Sequence, residues 1–207
     1  MDTKASIPAS QLSLRQVSPL IEVYFEFNHL KQLYRQGWLQ RGIPHARCES
    51  VAEHTFGVAV LALLLAEAHF PDLDACKVLR MALLHDFGEI YAGDITPAHG
   101  IDRSEKVRLE RQAVHQVFGK LTRGADYLAL WEEYERGASP EAQFVRQIDR
   151  LEMVLQASVY EHQELADLSE FFTSVEQALS TPALQSILHE LKAMRAEEGG
   201  PQGSPQQ

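Results

Sequence analysis

Apolar positions recur along most of this chain at helical spacing, with polar residues filling the opposite faces. Leu20, Val23, Tyr24, Phe27, Leu30, Leu33 and Tyr34 fall on one stripe, predicting a helix from Ser18 that ends at Gly37. Ser50-Val51-Ala52-Glu53 has the form of a capping box. It opens a helix from Val51 to about His69 that is apolar on nearly all sides and is therefore expected at the centre. Pro71-Asp72 breaks that helix, and a third runs from about Asp74 to His85. Gly88, Gly93, Pro97 and Gly100 then punctuate a mostly irregular stretch. Asp102-Arg103-Ser104-Glu105, a second capping box, starts a charged amphipathic helix to about Leu121, and Ala125 to Arg136 reads as another. Ser139-Pro140 supplies an N-cap and an N1 proline for a helix reaching about His162, and the last helix spans about Pro182 to Ala196. No segment alternates with a period of two, and no internal repeat stands out. The expected fold is all-α: a single helical-bundle domain over 18–196, a flexible N-terminal arm at 1–17 and a disordered tail at 197–207.

Composition narrows the function classes. The 207 residues suit one medium domain, and 45% hydrophobic with 23% charged is too apolar for wholesale disorder. Nineteen Lys+Arg against 29 Asp+Glu give a formal charge of −10, without the basic face that a nucleic acid polymer requires. A small anionic substrate stays compatible, because one cation and one arginine reverse the field locally. The longest run without a charge or strong polar group, Phe56 to Ala66, falls short of the roughly 20 residues of a membrane span, so no membrane partner is expected. Met1-Asp2-Thr3-Lys4-Ala5 lacks the basic start and apolar stretch of a secretory signal. Cys48 and Cys76 are lone cysteines suited to a reducing compartment, and a cytoplasmic location is the expectation.

Ligand-capable residues recur where the helical pattern predicts an interior. His54 lies one turn into the most apolar helix, His85-Asp86 closes an equally apolar run, and Asp149 has apolar neighbours one turn away on either side. A buried aspartate needs a partner, since an unpaired charge out of water costs several kcal/mol. One divalent cation would settle all four groups. Two imidazoles and two carboxylates suit Mn²⁺, Co²⁺, Fe²⁺ or Zn²⁺ better than Ca²⁺. Taken singly, each residue has a plainer explanation: a buried histidine is commonly a hydrogen-bonded core residue, and Asp149 can pair with Arg146 or Arg150 on a helix surface.

Order and context favour the joint explanation. The segments Arg47-Cys48-Glu49-Ser50-Val51-Ala52-Glu53-His54, His85-Asp86-Phe87-Gly88-Glu89-Ile90-Tyr91-Ala92-Gly93-Asp94-Ile95-Thr96-Pro97 and Phe144-Val145-Arg146-Gln147-Ile148-Asp149-Arg150-Leu151-Glu152-Met153 form an H…HD…D pattern. Over about residues 20–190 the chain resembles the HD-domain phosphohydrolases and, within them, the 5′-deoxynucleotidase branch. The resemblance implies that His54, His85, Asp86 and Asp149 hold a divalent metal such as Mn²⁺, Co²⁺ or Mg²⁺. Glu89 would act as a catalytic acid/base or water-orienting carboxylate, with Asp94 facing the same site. A second option is a further, harder ion held by Glu89, Asp94 and the Ile95 carbonyl. The family's adjacent Arg-Trp pair, which orients phosphate and contacts the nucleoside, is matched here by Trp38 alone. Gly37 precedes it, so Arg35 or Arg41 would have to supply the cation; a core-packed Trp38 is the plain alternative. The turn at Pro97 aligns with a substrate-contacting loop. The implied reaction is hydrolysis of 2′-deoxynucleoside 5′-monophosphates to deoxynucleosides and phosphate by a homodimer. Its rivals are another HD reaction, on cyclic nucleotides, dNTPs or guanosine polyphosphates, and a nucleotide-sensing protein without catalysis. The remaining histidines and the charged stretch Arg103 to Arg111 are expected to be solvated helix sides or subunit contacts.

Overall fold

Helix α3 (Val51–His69) starts where the capping box places it. Glu53 N–H donates to Ser50 Oγ at 3.3 Å, and Ser50 N–H donates to Glu53 Oε2 at 2.6 Å. The helix then runs Val51–His69. Its inward face, Val51, His54, Thr55, Val58, Ala59, Ala62 and Ala66, is mostly small, which lets neighbouring helices approach closely. The structure, a computed structural model, describes residues 2–12 and 16–198. α3 packs against α4 (Ala75–Leu84) and α8 (Pro140–His162). Val58, Ala62, Val78, Met81, Ala82, Ile148, Leu151 and Val154 are fully buried where the three meet. α8 opens on Ser139, whose Oγ accepts the Ala142 N–H at 3.1 Å, with Pro140 in its first turn.

A smaller core joins α1 (Pro19–Asn28), the short α5 (Glu89–Ala92), α6 (Arg103–Phe118) and α7 (Gly124–Arg136) through Val23, Leu30, Ile90, Val114, Val117, Phe118 and Trp131. The Trp131 indole N–H donates to the His85 carbonyl at 3.1 Å, tying α7 to the end of α4. α6 is capped by Asp102, which accepts from Ser104 and Glu105 N–H. α9 (Ser169–Ala178) and α10 (Pro182–Glu198) cover the far side of α8. Among the described residues there is no strand, only two isolated bridges. The all-α expectation holds.

Three local readings change. The helix expected from Ser18 to Gly37 stops at Asn28, continues as a 3-10 turn over His29–Lys31, and resumes as α2 (Gln36–Leu39). Between them the backbone finds partners outside a helix. Val51 N–H donates to Leu33 O at 2.9 Å and Arg35 N–H to Glu49 O at 3.1 Å, so this segment is pinned alongside the approach to α3. α9 was not legible because Leu168, at its N-cap, offers no capping side chain; Phe171, Phe172 and Val175 bury it. The arm expected to be flexible is tied down over residues 2–12: Lys4 N–H donates to Gln32 O, Ala9 N–H to Gln32 Oε1 at 2.7 Å, and Ala9 is buried. Residues 1 and 13–15 of the arm, and the tail from 199 onward, lie outside the described residues.

By length and composition α3 could cross a membrane, yet its inward face forms the centre of this bundle. Because the capping box fixes the turn from which His54 projects, Ser50→Ala should cost about 0.5–2 kcal/mol of stability in denaturant unfolding.

Candidate metal centre

The three central helices bring the four predicted ligands to one point. His54 Nε2 lies 3.1 Å from Asp149 Oδ1 and 3.8 Å from Asp86 Oδ2. His85 Nε2 lies 3.1 Å from Asp86 Oδ2, and the two imidazole centroids are 5.6 Å apart. Ligand atoms of His54, His85 and Asp149 fall within 4.8 Å of one another, and both histidines are buried. The His85 ring orientation is set by its own helix: Nδ1 is 2.7 Å from Ala82 O, and a carbonyl only accepts, so the proton is on Nδ1 and the free lone pair is on Nε2. That Nε2 and Asp86 Oδ2, though close, are not aligned as a hydrogen bond, and each is buried without one. Buried lone pairs of a mixed N/O set, aimed together and lacking donors, are what a divalent transition-metal cation needs.

Charge is concentrated here to an unusual degree. Burial works against a proton on His54, but the hydrogen bonds to Asp149 and Glu152 outweigh it and lift the imidazole to about 10. His85 is also raised: burial opposes, and the adjacent Asp86 carboxylate prevails. Burial favours protonated Asp149, yet His54 holds it down to about 2, and Asp86 is held low by His85 in the same way. Without a cation, a proton on His54 thus offsets part of the charge of these carboxylates.

Around this cluster the predicted residues divide. Glu89, at the start of α5, is buried and pushed well above the carboxylate range, first by desolvation and then by Asp86 and Asp94. Its Oε2 has no hydrogen-bond partner. Arg35 Nη1 lies 3.2 Å from Asp94 Oδ1 and 3.9 Å from Glu89 Oε1. Arg41 instead donates to Glu170 at 2.5 Å and lies over the Phe171 ring, so Arg35 is the arginine at this site and Arg41 is not. Trp38, expected to face substrate, is 2% exposed; it packs on Tyr160 and Phe171, and its N–H donates to Glu49 Oε1 at 2.7 Å. The platform reading gives way to the core reading because the indole is buried against Tyr160 and Phe171 and its N–H is taken by Glu49. Pro97 lies in an exposed 3-10 turn, Pro97–His99.

Of the oxygens suggested for a second ion, those of Asp94 and Ile95 have protein partners, while Glu89 Oε2 has none. Asp94 Oδ2 accepts Gln36 N–H at 2.6 Å, Oδ1 faces Arg35, and Ile95 O accepts from Lys106 Nζ at 3.2 Å. Lys106 and Glu110, on the α6 face expected to be solvated, escaped the sequence reading since their i,i+4 spacing is that of a surface pair. Gly88 is what brings them in: a Cβ there would lie 2.5 Å from Glu110 Cβ. Burial raises Glu110 to about 7. Glu49 and Glu152, behind His54, were likewise missed; burial and its neighbour Glu152 raise Glu49 to about 7.

The His54 proton persists to about 10 in the folded protein against 6.5 ordinarily. Its stabilising contribution is complete below 6.5 and is lost as pH rises toward 10. The thermal midpoint of metal-free protein should therefore fall from neutral pH to about 10, and saturating divalent cation should remove that fall, as differential scanning calorimetry would register.

The HD domain family model matches residues 27–192. A 5′-deoxynucleotidase HDDC2 from Bos taurus is 37% identical, over 91% of this chain and 91% of its own length. Among solved structures, the PH0347 protein of Pyrococcus horikoshii OT3 superposes with a TM-score of 0.73 at 34% identity, covering 84% of this chain and 99% of that one. A protein described as a predicted metal-dependent phosphohydrolase from Magnetospirillum magnetotacticum MS-1 superposes with a TM-score of 0.65 at 28% identity, over 87% and 95% of the two chains.

Proposed function

The chain belongs to the HD domain family as a relative of 5′-deoxynucleotidases, and from that premise we propose that it hydrolyses 2′-deoxynucleoside 5′-monophosphates to deoxynucleosides and phosphate. The observation that carries this reading is the pair of buried lone pairs on His85 Nε2 and Asp86 Oδ2, set beside His54 and Asp149 with the unpartnered Glu89 Oε2 close by. His54, His85, Asp86 and Asp149 would hold Mn²⁺, Co²⁺ or Mg²⁺. When bound, such a cation supplies Lewis-acid activation of water and of the phosphoryl group.

The protein side of the chemistry follows from the surroundings. Arg35, 14% exposed and oriented by Asp94, presents its remaining N–H groups to a phosphate oxygen. Glu89, whose protonated form is favoured by burial and by Asp86 and Asp94, is suited to hand a proton to the departing 5′ oxygen. Asp94 positions both Arg35 and the first turn of α2. A setting in the reducing cytoplasm is supported by two free thiols, Cys48 and Cys76.

The homodimer reading is supported by an apolar stripe on α3, where Phe56 is 68% and Leu64 59% exposed with Val60 between them. Phe56 projects beside a groove of about 630 Å³ lined by Gly57, Val60, Leu61, Leu155 and Val159. An exposed apolar face that combines a ridge and a groove suits a two-fold interface, in which the same patch of each copy meets the other. Light scattering should show a dimer that Phe56→Glu converts to monomer; a wild type monomeric at all concentrations would refute the pairing.

Phosphate release from dAMP and AMP with Mn²⁺ or Co²⁺ tests the activity, alongside cyclic nucleotides, dNTPs and guanosine polyphosphates. Turnover of the deoxynucleoside monophosphates is expected, and absence of turnover on every monophosphate by metal-loaded protein would refute the reading. Asp149→Ala should lose metal and activity together. Glu89→Ala should keep metal while kcat falls about 10²–10⁴-fold.

A further inference from the structure

Behind His54, on the side away from Asp149, lies a carboxylate that the proposed reaction leaves unused. Glu152 follows Asp149 by one turn of α8 and is buried, with Oε2 2.6 Å from His54 Nδ1. One helix therefore grips both nitrogens of the same ring. A carboxylate at that distance accepts the Nδ1 proton, which leaves Nε2 as the nitrogen offered to a cation. Glu49 backs this layer: ligand-capable atoms of Glu49, His54 and Glu152 lie within 4.8 Å of one another, and the Glu49 carboxylate is held in turn by the Trp38 indole N–H.

A second observation points to the same contact from the opposite helix. Gly57 sits inside α3, three residues after His54, where glycine is the poorest choice after proline. A Cβ at Gly57 would stand 2.5 Å from Glu152 Oε1 and 3.2 Å from its Cδ. The missing side chain is the space into which the carboxylate enters.

We propose that Glu152 is a positioning residue for the metal centre. It fixes the ring plane and tautomer of His54 so that Nε2 faces Asp149, Asp86 and His85, and Gly57 provides the room it needs. The inference rests on the metal-centre reading above, and its test separates the two.

Cobalt(II) titration followed by visible absorption reports both affinity and ligand geometry, independently of turnover. Wild type should bind one equivalent with a defined d–d spectrum. Glu152→Leu should weaken binding about 10–100-fold and alter the bands. Glu152→Gln, whose amide oxygen still accepts from Nδ1, should recover most of the affinity. Gly57→Ala should weaken binding in the same direction while circular dichroism and thermal midpoint show the helix intact or strengthened; it decides the matter if Glu152→Leu does not fold. Unchanged affinity and spectrum in Gly57→Ala and in the Glu152 variants would overturn the assignment. So would a second wild-type equivalent that Glu152→Leu removes, since the layer would then be a cation site of its own. A wild type that takes up no cobalt would refute the metal centre itself and this inference with it.

Discussion

Two carboxylates and two imidazoles withdrawn from water at one junction demand a compensating positive charge, and the arrangement of this bundle follows from that demand. Asp86 lies in the turn just past α4 and Asp149 within α8, so their mutual repulsion would push the end of α4 away from α8 if nothing lay between them. His54 and His85 are interposed, each held from behind by an acceptor of its own, Glu152 or the Ala82 carbonyl. The apolar contacts of α3, α4 and α8 set how near the helices come. The polar centre sets what must occupy the gap.

The same logic extends one layer outward. The chain carries a formal charge of −10, yet Arg35 and Lys106 are both drawn into the vicinity of Glu89 and Asp94. An acidic protein that draws two of its cations beside this cluster can receive an anionic phosphate there while the acidic surface elsewhere repels polyanions. Lys106 reaches the site from a helix whose other exposed charges, such as Arg108 with Glu105, are ordinary surface pairs.

How much of this could be read in advance depended on whether a feature was local. The capping box at Ser50–Glu53 and the His85-Asp86 pair are decided within a few residues, and both stand where the pattern put them. Arg35 and Trp38 depended on distant partners: Asp94 claims the first, while Tyr160 and Phe171 enclose the second. The helix through Gly37 failed for the same reason, since the backbone of Leu33 and Arg35 bonds to the segment before α3, which helical spacing does not register. Lys106 and Glu110 resemble any solvated pair until Gly88 is seen to let α6 come close. Glu152 lay inside a recognised motif, but its role is defined only by a ring on another helix.

The segment at residues 2–4 leads to a practical consequence. Asp2 N–H donates to Gln36 Oε1, and Gln36 Nε2 returns a bond to Asp2 O, while the Gln36 main chain holds Asp94. The leading residues are thus clipped to the same glutamine that steadies the arginine-bearing turn. Whatever displaces residues 2–4 would therefore be transmitted to Asp94 and Arg35 through two hydrogen bonds.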